Sequence, residues 1–190
     1  MNKHLDIMVD LETLGTDDDA AIISIGAVVI ELNEERLTGA EFYNVIDLDL
    51  TNDDEIGSIS ASTIIWWMQQ SDQARKAFTN KTHSKSLGTT LLSFIDWLMN
   101  QSYQFDVSEK QIRIWGNGAT FDNVILRNAF KRTKQRPPWP FWGDMCYRTM
   151  KNMYPNVKAA SRQGTHHNAV DDARFQALHL IEIYKEMQRG

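Results

Sequence analysis

Apolar and polar positions change their rhythm along the chain, from strand-like near the N-terminus to helix-like beyond residue 60. From His4 to Thr13, HLDIMVDLET starts with strand-like apolar residues and ends in carboxylates. From Ala21 to Leu32, AIISIGAVVIEL is rich in β-branched side chains, which fit a pleated sheet, so a long second strand is predicted there. EFYNVIDL, Glu41 to Leu48, alternates well enough to be the third. Gly15 and Asp17-Asp18-Asp19 give the first connection a turn composition, and connections this short suggest an antiparallel meander.

A hydroxyl at Ser62 or Thr63 can cap a helix running through IIWWMQQ. In SLGTTLLSFIDWLMNQ, Leu87, Leu91, Leu92, Ile95, Leu98 and Met99 recur at helical spacing. The polar stretch Gln101 to Lys110 is predicted to be a surface loop, and QIRIWGNG, Gln111 to Gly118, a strand running into glycine. FDNVILRNAFKRT then predicts a helix that stops before Pro137-Pro138. A short strand is predicted over Phe141 to Asp144, followed by a helix through MCYRTMKNMY. The last helix starts near Ala169 and carries Ala173, Ala177, Leu180, Ile181, Tyr184 and Met187 on one side. Three antiparallel strands followed by strand–helix alternation predict an α/β fold with a mixed sheet, and no linker divides residues 1–190 into more than one domain.

Composition changes this picture little. The chain has 42% hydrophobic and 24% charged residues, ordinary globular usage. No apolar stretch reaches membrane-spanning length, and Asp10 cuts short the only N-terminal apolar run, Ile7-Met8-Val9. The single cysteine, Cys146, forms no internal disulfide, so a cytoplasmic setting is the expectation. Charge is more informative. A net charge of −5 argues against a general nucleic-acid coat. Yet residues 1–57 hold fifteen acidic residues against Lys3 and Arg36, while residues 110–162 hold eleven basic residues against Asp122 and Asp144. That asymmetry suggests a basic surface beside an acidic one, although a solvated face accounts for the charge equally well.

The chemistry lies in the carboxylates. Asp10 and Glu12, two apart on a strand, point to the same side, where each raises the other's pKa unless a cation is present. A hard divalent metal relieves that repulsion. Alone, such a pair also occurs by chance on surface strands. Asp122 follows WGNGATF at a strand-to-helix junction, where a helix cap is the bland alternative. In THHNAVDD, Asp171 and Asp172 open the last helix, where acidic residues are favoured anyway, and His166 and His167 precede them. Taken together, four acidic ligands and one base suit metal-assisted phosphodiester hydrolysis, with two ions roughly 3.5–4 Å apart clamping the attacking and leaving oxygens.

DLETLGT, GNGATFDN and HHNAVDDA resemble the three motifs of the DEDD exonucleases, in the histidine subgroup written DEDDh. IIWWMQQSDQAR and PPWPFWGDMCYRTM resemble a branch of small phage and bacterial 3′–5′ exonucleases, part of which is described as exoribonuclease-like. The resemblance, from about Lys3 to Met187, implies a ribonuclease H-like fold: a mixed five-stranded sheet, three antiparallel strands then parallel ones, flanked by helices. It implies two Mg²⁺ ions, or Mn²⁺ in their place, and stepwise release of nucleoside 5′-monophosphates from the 3′ end of single-stranded DNA or RNA. Asp10, Glu12, Asp122 and Asp172 would hold the metals, and His167 would be the general base.

The register in THHNAVDD follows from the family's alanine after the metal-binding aspartate, here Ala173 after Asp172. Consecutive helical residues point about 100° apart, so Asp171 and Asp172 cannot aim at one site alike. Leu14 and Phe121 would pack against the terminal base or sugar, with core packing as the equal alternative. Asn117-Gly118 stands where many relatives have His-Asn, which makes Asn117 the polar substrate contact to examine. At most one of Trp66 and Trp67 can face substrate, and core packing is the favoured reading for both. The basic region Arg127 to Arg136 would guide the strand, within one subunit or across a homodimer. A non-cleaving module that grips nucleic-acid ends is the rival reading, but it would betray itself by a missing carboxylate, and none is missing. An endonuclease on the same fold would lack the histidine in this loop.

Overall fold

The computed structural model describes residues 3–79 and 81–189. Its five-stranded sheet has the order β3-β2-β1-β4-β5. The strands are β1 (Leu5–Thr13), β2 (Ile22–Glu31), β3 (Arg36–Val45), β4 (Ile112–Gly116) and β5 (Asp144–Cys146). The first three form an antiparallel meander, and β4 and β5 join β1 in parallel, as the sequence predicts.

Side chains of β1 alternate between two apolar layers, as the period of two requires. Leu5, Ile7, Val9 and Leu11 pack under α4 (Leu87–Gln104) and α5 (Val124–Arg132), against Leu91, Phe94, Leu98, Ile125 and Phe130. Met8, on the other face, packs with Trp115, Tyr147 and the inner stripe of α7 (Ala169–Arg189), namely Ala173, Ala177, Leu180, Ile181 and Ile183. Asp10 and Glu12 therefore fall on the α7 face. α6 (Tyr147–Met153) lies on that side too. Three short helices, α1 (Asp53–Ile56), α2 (Ala61–Met68) and α3 (Lys76–Thr79), lie between β3 and α4.

Several boundaries differ from expectation. β3 starts and ends earlier than Glu41 to Leu48, because it follows a tight turn through Leu32–Glu34 and Glu35, the latter at φ 53°, and pairs from Arg36 onward. As an edge strand it carries polar residues that weaken the apolar signal. α4 runs four residues into the predicted loop, where buried Gln101 and Ser102 tie it down; Ser102 Oγ donates to Val107 O at 2.6 Å. Residues Phe141–Gly143 form a 3₁₀ turn with exposed aromatic rings, and β5 begins only at Asp144. Met187, expected on the buried stripe of α7, is exposed. Among the described residues, no helix is long and apolar enough to cross a membrane.

Candidate active site

The carboxylate end of β1 meets the start of α7 because Gly26 permits it. Gly26 is the register partner of Asp10, and a Cβ there would lie 2.1 Å from the Ala169 carbonyl carbon and 2.2 Å from Val170 N. Only glycine lets the helix backbone rest on the sheet at this point. The first turn of α7 thereby carries Asp172 to Asp10 and Glu12, and one carboxylate oxygen from each of the three lies within 4.8 Å of the others.

Asp122 arrives from the far side of β1. It sits in a π-helical turn, Ala119–Asn123, ahead of α5, and not at a helix cap. β1 pairs with β4 only as far as Met8, and beyond that point the Leu11 N–H donates to Asp122 Oδ1 at 3.3 Å. A Cβ on Gly116 would lie 2.8 Å from Asp122 Cβ and 2.3 Å from Asn123 Oδ1, so a second sheet glycine lets this turn close in. Asp122 Oδ2 is buried with no hydrogen-bond partner.

Crowding and burial set the electrostatics. Withdrawal from water, then the charges of Asp122 and Glu12, push Asp10 well above the usual carboxylate range; the Gln176 amide, 2.6 Å from Asp10 Oδ1, opposes this. Burial and Asp122 push Glu12 up to about 8. Burial pushes Asp122 up to about 7, against the pull of the Leu11 N–H. Clustered carboxylates whose pKa values are all pushed up, with one orphaned oxygen among them, fit a hard divalent cation, which would favour their ionised state.

The loop before α7 separates its two histidine–aspartate pairs. Asp171 turns away: its Oδ2 accepts the Thr165 N–H at 2.8 Å, and its Oδ1 accepts from Arg174, which also holds Glu41 on β3. Asp172 stays in the cleft, where its Oδ2 accepts the His167 N–H at 3.0 Å and Arg162 pairs with its Oδ1. The His167 ring meets the edge of Trp66, centroids 4.8 Å apart. Burial, His166 and Arg162 hold the His167 imidazole below its ordinary value.

One cleft of about 240 Å³ is lined by Asp10, Glu12, Asn117, Asp122, His167 and Asp172, together with Phe121, Arg148, Arg162, His166 and Gln176. A second cleft shares Leu11, Glu12 and Phe121 with the first and adds Thr13, Thr63 and Trp66. Leu14 lines neither. It is buried with Ala21, Ile23 and Trp67, which is the core packing that the sequence left open as the equal alternative to substrate contact. Trp67 is 4% exposed and donates its Nε1–H to Thr13 O at 2.9 Å, whereas Trp66 is 40% exposed. In the basic region, Arg127 pairs with Asp144, and Arg132 donates to the Asp19 and Glu55 carbonyls, so both are structural. Lys131, Lys134 and Arg136 are exposed. Gln176, Arg162 and Gly26 escape sequence reasoning. Gln176 leaves one trace, a polar residue interrupting the apolar stripe of α7 one turn after Asp172.

Residues 5–184 match a protein-family model described as the 3′–5′ exoribonuclease Rv2179c-like domain. An exodeoxyribonuclease of Enterobacteria phage T4 is 29% identical over 125 residues, 64% of this chain and 53% of that protein, so the chain spans about half the length of this curated relative. Among solved structures, the nuclease domain of 3′hExo, a DEDDh family member bound to rAMP, superposes with a TM-score of 0.64 at 12% identity, covering 98% of this chain and 92% of that one. The zinc-bound form of an E. coli ExoI–ssDNA complex gives 0.64 at 13% identity, covering 99% of this chain and 42% of that one. At these identities the structural likeness is one of fold: the mixed five-stranded sheet flanked by helices.

Proposed function

The chain belongs to the family described as the 3′–5′ exoribonuclease Rv2179c-like domain, and from that premise we propose that it is a DEDDh-type 3′–5′ exonuclease releasing nucleoside 5′-monophosphates from single-stranded nucleic acid. The observation that carries the proposal is the convergence of Asp10, Glu12 and Asp172 within 4.8 Å, with the partnerless Asp122 oxygen on the same cleft.

Asp10, Glu12, Asp122 and Asp172 would hold Mg²⁺ or Mn²⁺, which supplies Lewis-acid stabilisation of the charge that builds on the phosphoryl oxygens. His167, kept neutral by burial and its cationic neighbours, takes a proton on a ring nitrogen from the attacking water. The water oxygen bonds to phosphorus as the P–O3′ bond breaks, and the leaving electron pair stays on the 3′-oxygen of the shortened strand. Trp66, edge-on to the imidazole, limits its rotation. The cleft lined by Leu11, Thr13, Thr63, Trp66 and Phe121 receives the terminal nucleoside through apolar and stacking contact, which reads no base sequence. Arg148 and Arg162 on the rim offer charge to phosphates. The family description names RNA and the phage relative's name DNA, so both sugars are substrates to compare.

Single-stranded DNA and RNA oligonucleotides labelled at the 5′ or the 3′ end test the proposal. With Mg²⁺, the 5′-labelled strand is expected to shorten stepwise while the 3′ label leaves at once as a mononucleotide; chelator stops both. Internal fragments would indicate an endonuclease, and retention without cleavage an end-binding module.

A further inference from the structure

The exonuclease reading uses His167 and leaves its neighbour His166 without a role. We propose that His166, His167 and Asp172 form a second, overlapping site for a transition-metal ion of the Zn²⁺ type, and that filling it switches the nuclease off. Adjacent side chains ordinarily diverge, but His167 lies in the left-handed region at φ 63°. The two imidazoles thereby come together, centroids 3.8 Å apart and planes 44° from parallel. A nitrogen of each ring and an Asp172 carboxylate oxygen all lie within 4.8 Å of one another. The His167 N–H to Asp172 Oδ2 bond ties the third donor to the same turn. Donors around Zn²⁺ sit about 2.0–2.1 Å from the ion, hence roughly 3.4 Å apart in a tetrahedron, so ligation requires the two rings to swing open from their present contact until their in-plane lone pairs converge.

The donor set decides the ion. Two imidazoles and one carboxylate with an open fourth position suit Zn²⁺, whereas Mg²⁺ takes oxygen ligands and belongs with Asp10 and Glu12. Because Asp172 and His167 are shared, the two modes exclude each other. An ion on the histidines withdraws a carboxylate from the acidic cluster and occupies the imidazole lone pair that would accept the water's proton. Arg162, paired with Asp172 Oδ1, must give way; its guanidinium already lies 4.3 Å from the centroid of the Phe175 ring, a cation–π seat it can keep.

The metal site stands on the side chains alone, while the inhibition rests on the exonuclease reading. Calorimetric titration of the full chain with Zn²⁺ in excess Mg²⁺ tests the site. One Zn²⁺ is expected to bind. His166→Ala should weaken it by about tenfold or more, since even an outer-sphere partner of a metal ligand costs ~10–100-fold. Asp10→Asn should leave Zn²⁺ binding intact, and Arg162→Ala, which removes the competing cation, should tighten it. Unchanged affinity in His166→Ala, or loss in Asp10→Asn, would overturn the site. In cleavage assays, Zn²⁺ should inhibit the Mg²⁺-activated parent, and His166→Ala should need about tenfold more Zn²⁺ while keeping its Mg²⁺ rate within several-fold. Zn²⁺ bound through His166 without inhibition would overturn the switch. A parent protein that never cleaves with Mg²⁺ would overturn the exonuclease reading and leave the site to the calorimetry.

Discussion

Asp122 shows what the cleft demands of one residue. Its Oδ1 takes a backbone N–H, its Oδ2 has no partner, and its charge raises both Asp10 and Glu12. Asp122→Asn keeps the Leu11 acceptor and removes the repulsion. It is expected to melt higher than the parent in chelator, to gain less from Mg²⁺, and to cleave orders of magnitude more slowly. Melting below the parent in chelator would show that repulsion is not what strains the site. That Asp10, Glu12, Asp122, Asp172 and His167 line one cleft could be anticipated, because motif chemistry depends on residue type and spacing. Gln176 and Arg162 could not, because a lone Gln or Arg looks like any other until the fold delivers it to Asp10 or Asp172.

Among the elements, the packing of α7 on β2 positions the site. Gly26→Ala would drive a methyl group into the Ala169–Val170 backbone. Overpacking of this kind costs about 1–3 kcal/mol, occasionally more, and lifting the helix start displaces Asp172. A shift of about 1 Å can cost ~100-fold in rate. The expected outcome is a folded, less stable protein with at least that loss of 3′-end cleavage, measured beside its melting curve. Parent activity in Gly26→Ala would show that the contact does not set the site. β1, β2 and β4 were readable because burial on both faces makes them largely apolar or β-branched, and α7 because its buried stripe recurs at helical spacing. β3 and β5 lie at the sheet edges, where burial demands less of the sequence, and their boundaries moved accordingly. The π-helical turn that aims Asp122 carries no periodic signal, and the Gly26 contact joins residues more than a hundred positions apart.

For the whole molecule, the buried acids couple stability to pH and metal. Folded, metal-free protein keeps a proton on Glu12 up to about pH 8, whereas an unfolded glutamate loses it near about 4.3. Asp122, at about 7, acts in the same direction. The folded state therefore binds more protons across that window, and stability falls as pH rises. Melting temperature in chelator is expected to drop between about pH 5 and 8, and saturating Mg²⁺ should flatten or reverse the slope, because it binds the folded state. A rise with pH in chelator would contradict the assignment.

Asp172, and not its neighbour Asp171, is expected to complete the metal-binding quartet. The rate of 3′-end shortening of a single-stranded oligonucleotide with Mg²⁺, compared between Asp172→Asn and Asp171→Asn, tests it most directly. Asp172→Asn should lose orders of magnitude, as removal of a metal ligand does. Asp171→Asn should stay within several-fold of the parent, with a modest stability loss from its Thr165 and Arg174 bonds. An inactive Asp171→Asn beside an active Asp172→Asn would contradict the account.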